Sequence, residues 1–161
     1  VMGFSAGGHL VGLLGALWDQ PWLAESISAS PESIRPDTLC LGYPVVSSGA
    51  YAHHGSFEHL TGADGALAQK LSIENMVGDG FPRTFLWHTA EDASVPVQNS
   101  LLLAQALADH GIGFSLHVFS HGKHGASLAT DQTAFKGCAE HIQPQVQGWP
   151  EQFVAWERDG R

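Results

Sequence analysis

Residues 3–18 read GFSAGGHLVGLLGALW, and the first five of them, Gly3-Phe4-Ser5-Ala6-Gly7, decide the fold. They fit the pattern G-x-S-x-G, in which a serine sits on a sharp turn between a strand and a helix. Such a turn strains the serine backbone and crowds the positions two residues either side, so glycine is expected at both 3 and 7. The gain is chemical. The Ser5 hydroxyl is lifted clear of the backbone, and the Ala6 N–H aims at the place where an oxyanion would develop. A Gly-rich turn without chemistry fits the same five letters, and the context separates the two readings. Val1 and Met2 read as the end of a strand, and residues 6–18 are nearly all apolar. Each of Gly8, Gly12 and Gly15 disfavours a helix by about 1 kcal/mol relative to Ala. A helix that tolerates them is expected to lie close against a sheet.

The chain opens directly on this motif, which reads as a cut through a longer domain. Such a piece is expected to leave a strand edge and apolar helix faces uncovered, and to be poorly stable and inactive alone.

Helical and extended patterns alternate beyond residue 18. Residues 37–46 read as a buried strand with Pro44 near its end. Residues 49–82 are richer in Gly and His and read as a cap-like excursion over the sheet edge, with short helices at 56–60 and 66–71. Residues 83–89 are a strand. Residues 97–110 carry Leu101, Leu102, Leu103, Ala106 and Leu107 at helical spacing, and Gly111 stops that helix. Residues 112–119 are a strand again. Residues 145–158 place Val146, Trp149, Phe153 and Trp156 on one side of a closing amphipathic helix. The order predicts an α/β architecture.

Composition narrows the function. The chain has 161 residues, 43% hydrophobic and 14% charged, which predicts a sizeable buried core. Seven basic residues face 16 acidic ones, a formal charge of −9, so no nucleic-acid partner is expected. No apolar run reaches the roughly 18 residues needed to span a bilayer. Cys40 and Cys138 form no CxxC pair, so neither zinc nor redox chemistry is expected of them. They read as two free buried thiols in a reducing compartment, the cytoplasm.

If Ser5 is a nucleophile it needs a base, and the base an orienting carboxylate, in the order Ser, acid, His at successive strand ends. Asp92 follows the strand at 83–89, and its distance from Val95-Pro96 suits the acid. Glu91 is the rival and Asp131 a remoter one, and a turn-capping role fits any of them. His124 follows the strand at 112–119, with Gly122 and Gly125 giving its loop freedom; His121 competes with it. His9, His53, His54 and His59 read as structural, surface or substrate-contacting residues. His121 and His124 are three apart, yet no further ligands complete a tetrahedral metal site.

Several strings together carry a family resemblance: GFSAGGHL, LGYPVVSSGAYAHHGSFEHLTG, SIENMV, and FLWHTAEDASVPVQNSLLLAQALADHG followed by LHVFSHGKHG. From Gly3 to about Leu128 the chain resembles the bacterial sugar-esterase group of α/β-hydrolases. That group includes acetyl-xylan esterases and lipase-like relatives of hormone-sensitive lipase. The resemblance implies an α/β-hydrolase fold, a mostly parallel sheet with helices on both faces. Residues 1–161 would be the C-terminal portion of one such domain, its early strands absent. It implies a triad of Ser5, Asp92 and His124, with Ala6 N–H as one oxyanion donor. The group's other donor comes from a Gly-rich loop outside this sequence. The expected reaction is acyl transfer from a small-molecule ester, with acetyl groups on sugars the expected substrates and no cofactor or metal. An arylformamidase and a prolyl-oligopeptidase-type peptidase share the triad layout. A binding domain that kept the fold without catalysis is the alternative of another class.

Overall fold

A computed structural model describes residues 1–62 and 64–160; Ala63, within the 49–82 stretch, and Arg161 lie outside them. Four strands, β1 (Met2–Phe4), β2 (Thr38–Gly42), β3 (Arg83–Thr89) and β4 (Phe114–Phe119), form one sheet in sequence order. Every neighbouring pair is parallel. The helices are α1 (Ala6–Leu17), α2 (Pro21–Ser26), α3 (Pro31–Ile34), α4 (His54–Thr61), α5 (Gly65–Lys70), α6 (Gln98–Asp109) and α7 (Trp149–Asp159).

Strand side chains alternate between two faces, and each face has its own core. Leu39, Leu41 and Leu86 meet Val11 of α1 and Leu103, Ala104 and Leu107 of α6. Cys40, Phe85 and Trp87 point the other way, onto Val146 and Trp149, with Phe153 and Trp156 of α7 packed beside them. The sheet is thus covered on both faces, and β2 and β3 are too buried to show a polar–apolar alternation.

Close approach accounts for three of the glycines of α1, though only Gly15 meets a strand residue; Gly8 meets Pro44 beyond β2, and Gly12 meets Ile73. A Cβ on Gly8 would lie 2.8 Å from Pro44, and one on Gly15 would lie 2.7 Å from a methyl of Leu39. The turn itself is crowded on one side only. A Cβ on Gly3 would come within 2.3 Å of the Gly7 carbonyl oxygen, whereas one on Gly7 would meet nothing within 4 Å. The expected collision at Gly7 is therefore absent among the described residues.

Other expectations shift in detail. β2 stops at Gly42, because Tyr43 takes a φ of 37° and Pro44 follows. In α6, Leu101 faces outward at 46% exposure, and Asn99 and Ser100 are buried instead. α7 starts at Trp149, with Pro150 in its first turn, so Val146 packs on the core from the preceding loop. The 49–82 stretch divides: α4 and α5 make a satellite core with Val45 and Val95, while Ile73, Val77 and Phe81 belong to the main core. Both cysteines are free, but only Cys40 is buried; Cys138 is half-exposed on a loop. Among the described residues no helix is long and apolar enough to cross a membrane.

Candidate active site

Ser5, Asp92 and His124 each follow the C-terminal end of a strand, β1, β3 and β4 respectively. Parallel strands bring those ends to one rim, so residues 119 apart in sequence meet: Ser5 Oγ lies 2.7 Å from His124 Nε2. His124 Nδ1 lies 2.6 Å from Asp92 Oδ2. A carboxylate only accepts, so Nδ1 carries the proton, and Nε2 is left to accept from the Ser5 hydroxyl.

Each member is held by its local backbone. Ser5 has φ 55° and ψ −125°, a strained conformation for a residue with a side chain. Its N–H donates to Gly42 O at 3.1 Å, and its carbonyl accepts from Gly8, His9 and Val45 N–H groups at 3.0–3.2 Å. Ser5 occupies the N-cap position of α1 but makes no side-chain cap. Serine is favoured there because its oxygen usually serves the helix; here the oxygen is turned to His124. Ala6 opens α1, so its N–H has no partner within the helix.

Asp92 Oδ1 accepts from the Ser94 and Val95 N–H groups, both at 2.9 Å. Burial by itself would push this carboxyl up. Hydrogen bonds from His124, His88 and the Val95 N–H, with the charge of His124, reverse that and hold it well below the usual carboxylate range. His124 rides a loop with positive φ at Gly122 (136°) and Gly125 (83°). Thr89 Oγ1 pins that loop to the end of β3 by donating to Gly122 O at 2.8 Å.

The rivals lie elsewhere. His121 pairs with Glu91 at 2.9 Å on the surface, the two side chains 67% and 59% exposed. Asp131 is exposed and caps the Gln132 N–H beside it. His9 is buried and bonds Leu71 O, which fits a structural role.

Residues that the sequence reading passed over complete the site. Tyr43 packs edge-on to the His124 ring at 5.0 Å, and its hydroxyl accepts from the Ser127 N–H in the His124 loop. Burial pushes its phenol up to about 12. Asn99 accepts from the Val46 and Ser47 N–H groups and donates to Tyr51 O and Pro96 O, tying the chain after β2 to the start of α6. Tyr43, in its tight turn before Pro44, was the one with a signal in the sequence. Beside Ala6 an apolar cleft of about 380 Å³ opens between α1 and α4, lined by His9, Leu10, Leu13, Val45 and Phe57. Among the described residues no three His, Cys, Asp or Glu side chains converge as metal ligands would.

Similar proteins bear on this rim. The sequence profile of the prolyl oligopeptidase family matches residues 64–140, which include Asp92 and His124 but not Ser5. Endo-1,4-beta-xylanase B of Butyrivibrio fibrisolvens is 40% identical over 138 residues, 82% of this chain and 21% of that protein. The carboxylesterase Cest-2923 of Lactobacillus plantarum WCFS1 superposes with a TM-score of 0.81 at 29% identity, over 99% of this chain and 57% of that one. An acetyl ester-xyloside bifunctional hydrolase of Caldicellulosiruptor lactoaceticus gives 0.73 at 43% identity, over 96% of this chain and 56% of that one. The chain therefore spans about a fifth of that curated relative and just over half of these solved structures. By its parallel sheet and by these likenesses, the chain has the α/β-hydrolase fold and is similar to bacterial carboxylesterases and acetyl esterases.

Proposed function

We propose that the chain carries the catalytic triad of a serine carboxylic ester hydrolase, with short acyl groups such as acetyl on a sugar as its substrates. One observation carries the reading: the unbroken hydrogen-bonded line from Ser5 through His124 to Asp92, at 2.7 and 2.6 Å. His124 Nε2 takes the Ser5 proton as Oγ attacks the ester carbonyl, and the developing oxyanion turns toward the Ala6 N–H. The imidazolium is stabilised by Asp92 and returns its proton to the departing alcohol, leaving an acyl-enzyme on Ser5. Water, deprotonated by the same imidazole, releases the acid. The chain would supply the C-terminal portion of one domain, with α4 and α5 as a partial cap beside Ala6.

The acetyl preference is supported by the acetyl ester-xyloside hydrolase among the similar structures. The prolyl oligopeptidase profile over residues 64–140 favours a peptidase as the second reading. A fluorophosphonate probe on the intact protein tests the nucleophile: labelling is expected and is lost in Ser5→Ala. Absence of labelling in the unaltered protein points to a binding domain. Acetylated xylose, p-nitrophenyl esters from acetate to octanoate, N-formylkynurenine and a prolyl peptide amide then separate the substrate classes. Fast formamide or peptide turnover without acetyl release overturns the esterase assignment.

A further inference from the structure

The alternation of β3 sends Leu86 and His88 to the α6 face, and places a histidine at a position with no exposed surface. A ring buried that completely must satisfy both nitrogens within the protein. His88 Nε2 lies 2.9 Å from the Val95 carbonyl oxygen, which can only accept, so Nε2 carries the proton. Nδ1 is then a lone pair, and it accepts from the buried Ser100 hydroxyl of α6 at 2.8 Å. The tautomer is thereby fixed by its two neighbours. The same Nε2–H lies 3.4 Å from Asp92 Oδ2, the oxygen that receives His124 Nδ1–H.

We propose that His88 is a positioning residue for the acid: locked in one tautomer by Ser100 and Val95, it clamps the 92–95 turn to β3 and sets the rotation of the Asp92 carboxylate toward His124. The clamp is a closed ring of contacts. Val95 N–H donates to Asp92 Oδ1, Val95 O accepts from His88 Nε2–H, and that proton also faces Asp92 Oδ2. The 3.4 Å approach is too long to be strong by itself. Its force lies in geometry, because turning the carboxylate about its Cβ–Cγ bond breaks the contacts on both oxygens together. The ionisable groups around Asp92 are His124, His88 and Tyr43. Of these, His88 is the one held from the α6 face of the sheet, through Ser100, whereas Tyr43 packs in the core of the opposite face. The proposal rests on the triad of the preceding subsection.

The test compares His88→Leu, His88→Gln and Ser100→Ala in the intact protein, with active sites counted by the p-nitrophenol burst from p-nitrophenyl acetate. Leucine removes the donor, and kcat per counted site is expected to fall on the order of 10²-fold with KM little changed, the scale of a small misplacement of a catalytic group. The acid limb of kcat/KM, which reports the base, is expected to move as well. Glutamine can present an N–H near the same place, and is expected to recover at least about ten-fold of the loss, as a restored donor should. Ser100→Ala leaves Nδ1 without its donor while the Val95 carbonyl still holds Nε2–H, and is expected to lower kcat less than leucine, with the lost hydrogen bond visible in the imidazole 15N shifts. It also decides the matter if His88→Leu does not fold. Unchanged kcat per site and an unmoved acid limb in the folded variants overturn the proposal, whatever happens to their Tm. An unaltered protein that gives neither burst nor fluorophosphonate labelling sinks the hydrolase reading instead.

Discussion

Glu91 and Asp92 are neighbours in sequence, and each takes a histidine from the same loop, His121 and His124. The chemistry of the two pairs is alike and their distances are close, 2.9 and 2.6 Å. Their surroundings differ. Glu91 and His121 stand in water at 59% and 67% side-chain exposure, against 0% for Asp92 and 22% for His124. An exposed pair competes with solvent and is screened by salt. Asp92 has no such competition, and backbone amides and imidazoles converge on its oxygens. What separates the two pairs is the number of fixed donors and the removal of water, not the residue types.

The largest expected effect tests the two bases against each other. His124→Ala is expected to lower kcat for p-nitrophenyl acetate by on the order of 10⁴-fold or more, the scale seen when a triad base is removed. His121→Ala is expected to stay within about two-fold, as surface substitutions usually do. The reverse pattern would move the base to the surface pair and break the comparison.

Much of the rim was legible in the sequence because the order Ser, acid, His follows from strand order. β3 was predicted with its observed limits, since RTFLWHT is bounded by Pro82 and a polar loop. Asp92, preferred over Glu91 by its spacing from Val95-Pro96, lies 2.6 Å from His124 Nδ1, while Glu91 pairs with His121 on the surface. Other features were hidden for physical reasons. Periodicity marks apolar spacing but not the partner, so Leu101 looked equivalent to Leu103 although only Leu103 is buried. A strand buried on both faces has no polar–apolar rhythm, so nothing in its letters says that His88 faces Ser100 or that Trp87 faces α7. The 49–82 stretch was read by composition as one excursion, but its second half supplies Ile73, Val77 and Phe81 to the main core. Gly7 was assigned a steric reason that its surroundings do not supply.

A middle-sized effect concerns pH. The Asp92 carboxyl titrates lower in the folded chain than its ordinary value of 3.8. The stability it contributes is therefore complete above the unfolded value and drains away as pH falls below it toward the folded one. Asp92→Asn is expected to lose about 2 kcal/mol or more at pH 7, since an amide cannot satisfy the same donors. Between about pH 5 and pH 2 its stability should change less steeply than that of the unaltered protein. Urea unfolding at a series of pH values measures both. Equal slopes for the two proteins would mean that the buried pair holds no more of the fold than the exposed one.

The smallest effect sharpens the comparison from the exposed side. The hydrogen bond with His121 and, to a smaller degree, the nearby Gly122 amide hold the Glu91 carboxyl below its ordinary range. Gly122 lies against Thr89 at a φ of 136° and carries the loop that delivers His124. Glu91→Ala therefore removes an anchor from that loop as well as a surface ion pair. The loop keeps its bonds from Thr89 Oγ1 to Gly122 O and from Ser127 N–H to Tyr43 Oη, so kcat is expected to stay within about three-fold, in keeping with the small worth of exposed pairs. Raising the salt concentration should leave that ratio nearly unchanged, because screening has already weakened the pair. A ten-fold or larger loss, rescued by Glu91→Gln, would show that the exposed carboxylate helps to place His124 through the Gly122 amide. The contrast between the two pairs would then be one of role rather than of importance.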